Sequence, residues 1–439
     1  MPFILEKGFR IMVDLESPEL AGFTPEERAA FELLTRTPTA RDAVAMLGAL
    51  DGRELLTLDE RAIYASEAKR DLTAAVSPAS TVVAIMKATR LCNLRCVYCR
   101  SWAEGPNQVM RFDVLARVTH EALAMRGART VEFVWHGGEV TLLKPKFFKK
   151  MIWLQQRFKQ PGQVVKNAIQ SNATHLTDEW LDFLAALKIG VGLSLDGPPE
   201  VNDTRRVDKN GRGSTQSALD GIRKLRARGI PYGVLMVIDQ DIVRLGAQRL
   251  LAFLDGEGIE QVDFLNALPE NDFDGDGPRG SFLPMPEYVR FLCETLDVWH
   301  ATYRGRIKVG VIHEFVEAIH RARAPRACLW SGNCADRYIT IEANGDIAPC
   351  DKFVGAADSK MGNVLQTPLY EIIRGAKFVA DATQESLLAK RRMSDCTWHS
   401  LCRGGCPHDR VLNRHFVAGF DGRCCGMAPL FDRIKSLDL

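Results

Sequence analysis

CNLRCVYC, running from Cys92 to Cys99, sets three thiols, Cys92, Cys96 and Cys99, in a C-x3-C-x2-C spacing on one short stretch. Thiols crowded in this way oxidise easily as structural packing, and their chemistry suits metal ligation. Zinc would need a fourth ligand; the next cysteine is Cys293 and the nearest histidine is His120. An iron–sulfur cluster with one iron left open fits three ligands better. The chain has 12 cysteines, none before Cys92, and eight fall between Cys328 and Cys425. In a secreted chain an even count would suggest disulfides. Here 439 residues with 46% hydrophobic content can build a core without them, and MPFILEKGFR has no apolar signal region, so a cytoplasmic chain with free thiols is expected. Cys293 stands alone and reads as packing. Lys and Arg number 57 against 55 Asp and Glu, too even a balance to suggest nucleic acid or a membrane surface as partner. No apolar run approaches the roughly 18 residues of a membrane span.

Outward from the cysteine stretch, residues 81–323 alternate between β-branched runs and amphipathic helical patterns. Strands are expected at Val82–Ala88, Thr130–Trp135, Val164–Ser171, Gly190–Leu195, Tyr232–Ile238 and Val262–Asn266. Such βα units give a parallel sheet in an α/β fold, with ligands at the C-terminal ends of the strands. The cysteine stretch follows the first of these strands.

C-x3-C-x2-C with Tyr98 before the last cysteine resembles the signature of radical S-adenosylmethionine (SAM) enzymes; Arg100 departs from the aromatic residue that many members carry there. The resemblance implies a (β/α)6 partial TIM barrel. It also implies that Cys92, Cys96 and Cys99 hold a [4Fe–4S] cluster whose fourth iron takes the amino and carboxylate groups of SAM. Gly137-Gly138-Glu139 is similar to the family's GGE motif, which holds the SAM amino group. Two glycines let a main chain approach a ligand, and a carboxylate suits an ammonium. GGEVTL resembles the GGEPTL of sulfatase maturases, with Val140 in place of the proline. Gln170-Ser171-Asn172 resembles the family's QTN element; by position Ser194 and Arg206 would also contact SAM, with Arg205 adjacent. His136 lies at a strand end, where it could face substrate or simply pack.

Residues 324–439 resemble the SPASM extension, which binds two auxiliary [4Fe–4S] clusters, three clusters in all with the first. Carried over by position, one auxiliary cluster takes Cys328, Cys334, Cys350 and Cys406, and the other Cys396, Cys402 and Cys424. The remaining family position is Met393, a poor replacement for thiolate. Cys425 could complete the set. A vicinal pair does not easily place both sulfurs on one cluster, so an open or substituted iron is the first expectation. His399 and His408 among these thiols leave a zinc alternative. Asp351, in PCDKF, matches the Asp of PCDF(Y) in sulfatase maturases, which takes a proton as the substrate radical is oxidised; an acid capping a turn is the plain alternative.

Residues 1–80 contain GFRIMVDL, read as a strand, a helix start at Thr24-Pro25, and helices after Thr39 and through LDERAIYASEAKRDL. They suggest a winged-helix-like unit that grips a precursor's leader, or else a packing extension over the barrel. Residues 269–286 read as a solvated loop over the barrel mouth. The resemblance implies reductive cleavage of SAM to a 5′-deoxyadenosyl radical, with electrons from a flavodoxin or ferredoxin. The first expectation is oxidation or cross-linking (cyclophane or thioether) of a ribosomal precursor peptide or protein. The alternatives are formylglycine formation in sulfatases, a dehydrogenase or epimerase acting on a small sugar or cyclitol, and a non-enzymatic electron-transfer or zinc-scaffold protein.

Overall fold

The computed structural model describes residues 3–6, 10–13 and 40–437, apart from 78, 107, 271–276, 322–324, 326, 331, 333 and 354–358. A hairpin of β1 (Phe3–Glu6) and β2 (Arg10–Val13) comes first, and the strand read in GFRIMVDL is its second arm. The helix start at Thr24 lies outside the described residues. Three helices follow: α1 (Ala40–Ala49), α2 (Gly52–Leu55) and α3 (Leu58–Glu67). Thr57 opens α3 with a reciprocal capping box to Glu60.

The parallel strands come in chain order and lie side by side in that order: β3 (Thr81–Thr89), β4 (Thr130–Gly137), β5 (Val164–Ser171), β6 (Gly190–Ser194), β7 (Tyr232–Ile238) and β8 (Gln261–Asn266). Helices return the chain between them: α4 (Phe112–Ala124), α5 (Pro145–Phe158), α6 (Asp178–Leu187), α7 (Pro199–Arg205), α8 (Thr215–Ala227), α9 (Gln240–Leu245) and α10 (Ala247–Gly256). This is the α/β architecture of a (β/α)6 partial barrel. Alternation along each strand sorts its two faces. Val131, Phe133 and Trp135 of β4 are buried beneath the helices, whereas Glu132, Val134 and His136 look the other way. Gly192 and Ser194 of β6 share that second face.

Helices α1–α3 form a layer outside the barrel helices. Leu47, Leu55 and Leu56 join the main core, and Trp153 of α5 donates its indole N–H to Leu50 O at 2.9 Å. Tyr64 meets the Trp153 ring edge-on at 4.7 Å, and Lys150 pairs with Glu60 at 2.6 Å. Residues 40–67 therefore pack against the barrel.

Past β8 come α11 (Met285–Val298), β9 (Lys308–Val309) beside β8, and α12 (Gly310–His320). The C-terminal segment continues the barrel's sheet. Strand β10 (Tyr338–Ile341) pairs in parallel with β3, Tyr338 opposite Val83 and Ile341 opposite Met86. Strands β11 (Asp346–Ala348) and β12 (Gly362–Asn363) extend it antiparallel, completing ten strands. The reason is physical: the first strand of an open barrel has unpaired backbone groups that need a partner. Helices α13 (Leu369–Gly375), α14 (Lys377–Arg392), α15 (His399–Cys402), α16 (Pro407–Phe416) and α17 (Ala428–Ser436) complete the module.

Candidate active site

The cysteine loop leaves the end of β3 and lies along the backbone that follows α7. Arg95 N–H donates to Val207 O at 2.6 Å and Val97 N–H to Arg205 O at 2.9 Å. The end of β4 closes on it from the other side, Gly138 N–H to Thr89 O and Glu139 N–H to Leu91 O, both 2.7 Å. A Cβ on Gly137 would lie 2.2 Å from Thr89 O, and one on Gly138 2.0 Å from Leu91 O; Gly137 also holds φ at +126°. The glycine pair was expected to admit a ligand. Its close approach in this structure is to the cysteine loop's own backbone, and any side chain there would push that loop away.

Both carboxylate oxygens of Glu139 are bonded within the protein. Its carboxylate is buried and accepts from Thr141 N–H (3.0 Å), Thr141 O–H (2.5 Å), Ser171 O–H (2.9 Å) and Asn172 N–H (2.6 Å). These bonds tie the end of β4 to the end of β5. Asn172 carries the link on: its Nδ2 donates to Asn93 Oδ1 at 2.8 Å and approaches the Cys92 sulfur at 3.9 Å.

Cys92, Cys96 and Cys99 act on one another electrostatically. Burial pushes Cys92 up to about 11 and Cys96 up to about 12, with Arg206 opposing both. Half-buried thiols beside an arginine fit a site where metal replaces the protons. Beneath the loop Tyr98 donates to Asp196 Oδ2 at 2.5 Å, and Arg206 donates to the Tyr98 hydroxyl at 2.6 Å. Arg205 pairs with Asp239 at 3.2 Å and lies 5.2 Å from the centre of the Tyr98 ring. Of the two arginines, Arg206 is the one whose charge bears on Cys92 and Cys96. Asp196 and Asp239 were not singled out from sequence, and Tyr98 only as the aromatic of the cysteine motif; their partners are far along the chain.

On the inner face, Gln170 Nε2 donates to Ser194 Oγ at 2.9 Å, and Gly192 leaves the space that Gln170 fills. His136 and Asp351, far apart in sequence, come together here. His136 Nε2 is 3.5 Å from Asp351 Oδ2, and Lys87 Nζ pairs with Asp351 Oδ1. Lys87, level with His136 on the neighbouring strand and fully buried, also donates to Ser101 Oγ at 3.1 Å. Burial favours a protonated Asp351, but Lys87 and His136 outweigh it and hold the acid at about 2, an ionised carboxylate. His136 falls to about 4 through burial and the Lys87 charge; its Nδ1 accepts from Gly137 N–H at 2.5 Å, leaving the proton of the neutral ring on Nε2, towards Asp351. Lys87 was missed. The signal was available: one lysine in the apolar run VVAIMKAT.

The remaining cysteines form two groups, and none of the 12 is in a disulfide. Cys334, Cys350 and Cys406 act mutually, and Cys328 shares with Cys334 the surroundings of Tyr338. In the other group Cys425 donates to the Cys402 sulfur at 3.4 Å, Cys424 contacts Cys425, and Cys396 contacts Cys424. Cys425 thus stands with the other three thiols. Met393 is buried, and its Sδ lies 3.3 Å from where a Gly404 Cβ would stand. Among the described residues no three His, Cys, Asp or Glu side chains close on a point for a single ion. A four-iron cube spreads its thiols wider than one zinc ion does. His408 meets Phe353 edge-on at 4.6 Å and lies beside Asp409, away from the Cys402 group. Cys293 packs half-buried against the core, as expected.

A cysteine loop at the end of the first barrel strand, with two further cysteine groups beyond the barrel, defines the class. Residues 86–242 match the radical SAM superfamily and residues 328–407 the SPASM iron–sulfur cluster-binding domain. The chain is a radical SAM enzyme with a SPASM domain, and SAM and several [4Fe–4S] clusters are its cofactors. Among curated proteins it is similar to the serine-type anaerobic sulfatase-maturating enzyme of Bacteroides thetaiotaomicron, 28% identical over 344 residues, which is 73% of this chain and 81% of the relative. The cysteine-type enzyme of Clostridium novyi is 26% identical over 339 residues, covering 75% of this chain and 88% of the relative. The solved structure of native anSMEcpe with bound AdoMet and Kp18Cys peptide shares the fold, with a TM-score of 0.67, 22% identity, and coverage of 81% of this chain and 95% of that one. No helix among the described residues is long and apolar enough to cross a membrane.

Proposed function

We propose that this chain oxidises the β-carbon of a cysteine or serine side chain in a peptide or protein, the formylglycine-forming reaction. One observation carries the reading: Asp351 reaches from the SPASM module to the strand ends of the barrel and is held ionised there by Lys87 beside His136. Relatives named as serine-type and cysteine-type sulfatase-maturating enzymes support this product over the cross-link that the sequence put first.

Cys92, Cys96 and Cys99 would hold the cluster that, with an electron from flavodoxin or ferredoxin, cleaves SAM and so supplies a radical able to take a hydrogen atom from the substrate carbon. Gly137, Gly138, Glu139 and Asn172 fix the loop that carries these thiols, and Ser194 and Arg206 would contact SAM when it is bound. The inner wall of Gln170, Gly192 and Ser194 receives the side chain and excludes water. The substrate radical would then pass one more electron to an auxiliary cluster and lose its thiol or hydroxyl proton. Asp351 takes that proton, a role that requires an ionised carboxylate at the reacting atom. The two-hydrogen loss gives an aldehyde from serine. Cysteine gives a thioaldehyde, which water converts to the aldehyde with release of hydrogen sulfide. Cys328, Cys334, Cys350 and Cys406 would hold one auxiliary cluster and Cys396, Cys402, Cys424 and Cys425 the other. The test is mass spectrometry of cysteine- and serine-containing sulfatase peptides after anaerobic incubation with SAM and dithionite. Asp351→Asn should still form 5′-deoxyadenosine while losing at least about 100-fold in aldehyde, the scale of a general-base contribution; undiminished aldehyde would remove Asp351 from the role.

A further inference from the structure

The segments that follow Cys350 and Cys406 are built alike. Lys352 N–H donates to the Cys350 sulfur, and Asp409 N–H donates to the Cys406 sulfur. Their side chains then meet: Lys352 Nζ lies 2.7 and 3.0 Å from the two Asp409 oxygens. Both side chains are largely buried, and His408 Nδ1 lies 3.4 Å from the same carboxylate. The Lys352 charge bears on Cys328, Cys350 and Cys406. A buried ion pair contributes little net stability, because desolvation offsets the attraction. Charges fixed beside an iron–sulfur cluster do have a definite effect: reduction adds a negative charge, which a nearby cation favours and a nearby anion opposes.

We propose that the Lys352–Asp409 pair sets the reduction potential of the cluster held by Cys328, Cys334, Cys350 and Cys406, Lys352 raising it and Asp409 limiting the rise. This rests on the reading that those four thiols hold a cluster. Lys352 and Asp409 are positioning residues: they act through the cluster and touch no substrate. Raising the potential suits a centre beside Asp351, where the substrate radical must give up an electron as well as a proton.

The test is an anaerobic potentiometric titration followed by electron paramagnetic resonance. It uses the full reconstituted chain with Cys92, Cys96 and Cys99 replaced by alanine, and counts only the signal that Cys328→Ala removes. Lys352→Met should shift the midpoint negative, Asp409→Asn should shift it positive, and Lys352→Arg should leave it in place. An unchanged midpoint in Lys352→Met, or shifts of the same sign in the methionine and asparagine variants, would overturn the proposal. If Lys352→Met loses its iron, Asp409→Asn decides alone, and no positive shift there overturns it. Failure of the unsubstituted group to take up iron would sink the cluster reading as well, and an iron count tells the two failures apart.

Discussion

The Cys350 group and the Cys402 group each gather four thiols, yet their surroundings differ. In the first, burial pushes Cys406 up to about 12, and a lysine–aspartate pair lies alongside. Its thiols come from the segment before β10 (Cys328 and Cys334), from just after β11 (Cys350) and from the turn into α16 (Cys406), on the extension that pairs with β3 and carries Asp351 into the barrel. In the second, the thiols act on each other: Cys425 hydrogen-bonds Cys402 and Cys424 and pulls both below the usual thiol range. The first adjoins Asp351, which reaches Lys87 and His136 at the strand ends of the barrel. The second adds Cys425 to Cys396, Cys402 and Cys424, with Met393 buried nearby. Position relative to the strand ends, rather than the number of thiols, separates the two.

Removing Cys425 should break the comparison most visibly. Cys425→Ala is expected to cost one cluster's worth of iron and sulfide per chain and leave the signal of the Cys350 group untouched. Unchanged iron would return the fourth position to Met393 or to an open iron. The double variant Cys425→Ala/Met393→Cys should recover part of that iron, since it restores a thiol at the family position. Arg410 joins the two groups: it donates to Gly404 O (3.1 Å) and Gly405 O (2.7 Å), between Cys402 and Cys406, and pairs with Glu385. Arg410→Met should lower stability by about 3 kcal/mol in denaturant unfolding. That is the low end for a broken buried pair, because Arg414 still reaches Glu385 at 2.9 Å. The smallest effect is chemical. In iron-free protein at neutral pH, iodoacetamide should label Cys424 well before Cys406, because the thiolate is the nucleophile. Equal labelling by peptide mapping would count against the contrast.

Much of the barrel was legible because its strands are β-branched runs between amphipathic helices. The strand at Val164–Ser171 and the one at Tyr232–Ile238 were located to the residue. The extension by β10–β12 was not legible, since nothing local tells Tyr338–Ile341 to pair with a strand some 250 residues earlier. Cys92, Cys96, Cys99, His136 and Asp351 were visible as motif residues, but their relations were not. Lys87 between Asp351 and Ser101, and the internal bonding of Glu139, depend on register across neighbouring strands. The place of Cys425 was not legible because adjacent thiols on an extended chain point apart. Here Gly426 at φ +95° and the turn into α17 bring both towards Cys402 and Cys396.

The central claim is that this barrel turns SAM cleavage into loss of two hydrogens from a peptide side chain. The most direct measurement is mass spectrometry of a cysteine- or serine-bearing sulfatase peptide after anaerobic turnover with the reconstituted enzyme, with 5′-deoxyadenosine counted in the same sample. The account predicts an aldehyde at that residue, trapped by hydrazine, formed in proportion to 5′-deoxyadenosine. A peptide returned unaltered while 5′-deoxyadenosine accumulates, or one that gains an internal cross-link with no aldehyde, would contradict it.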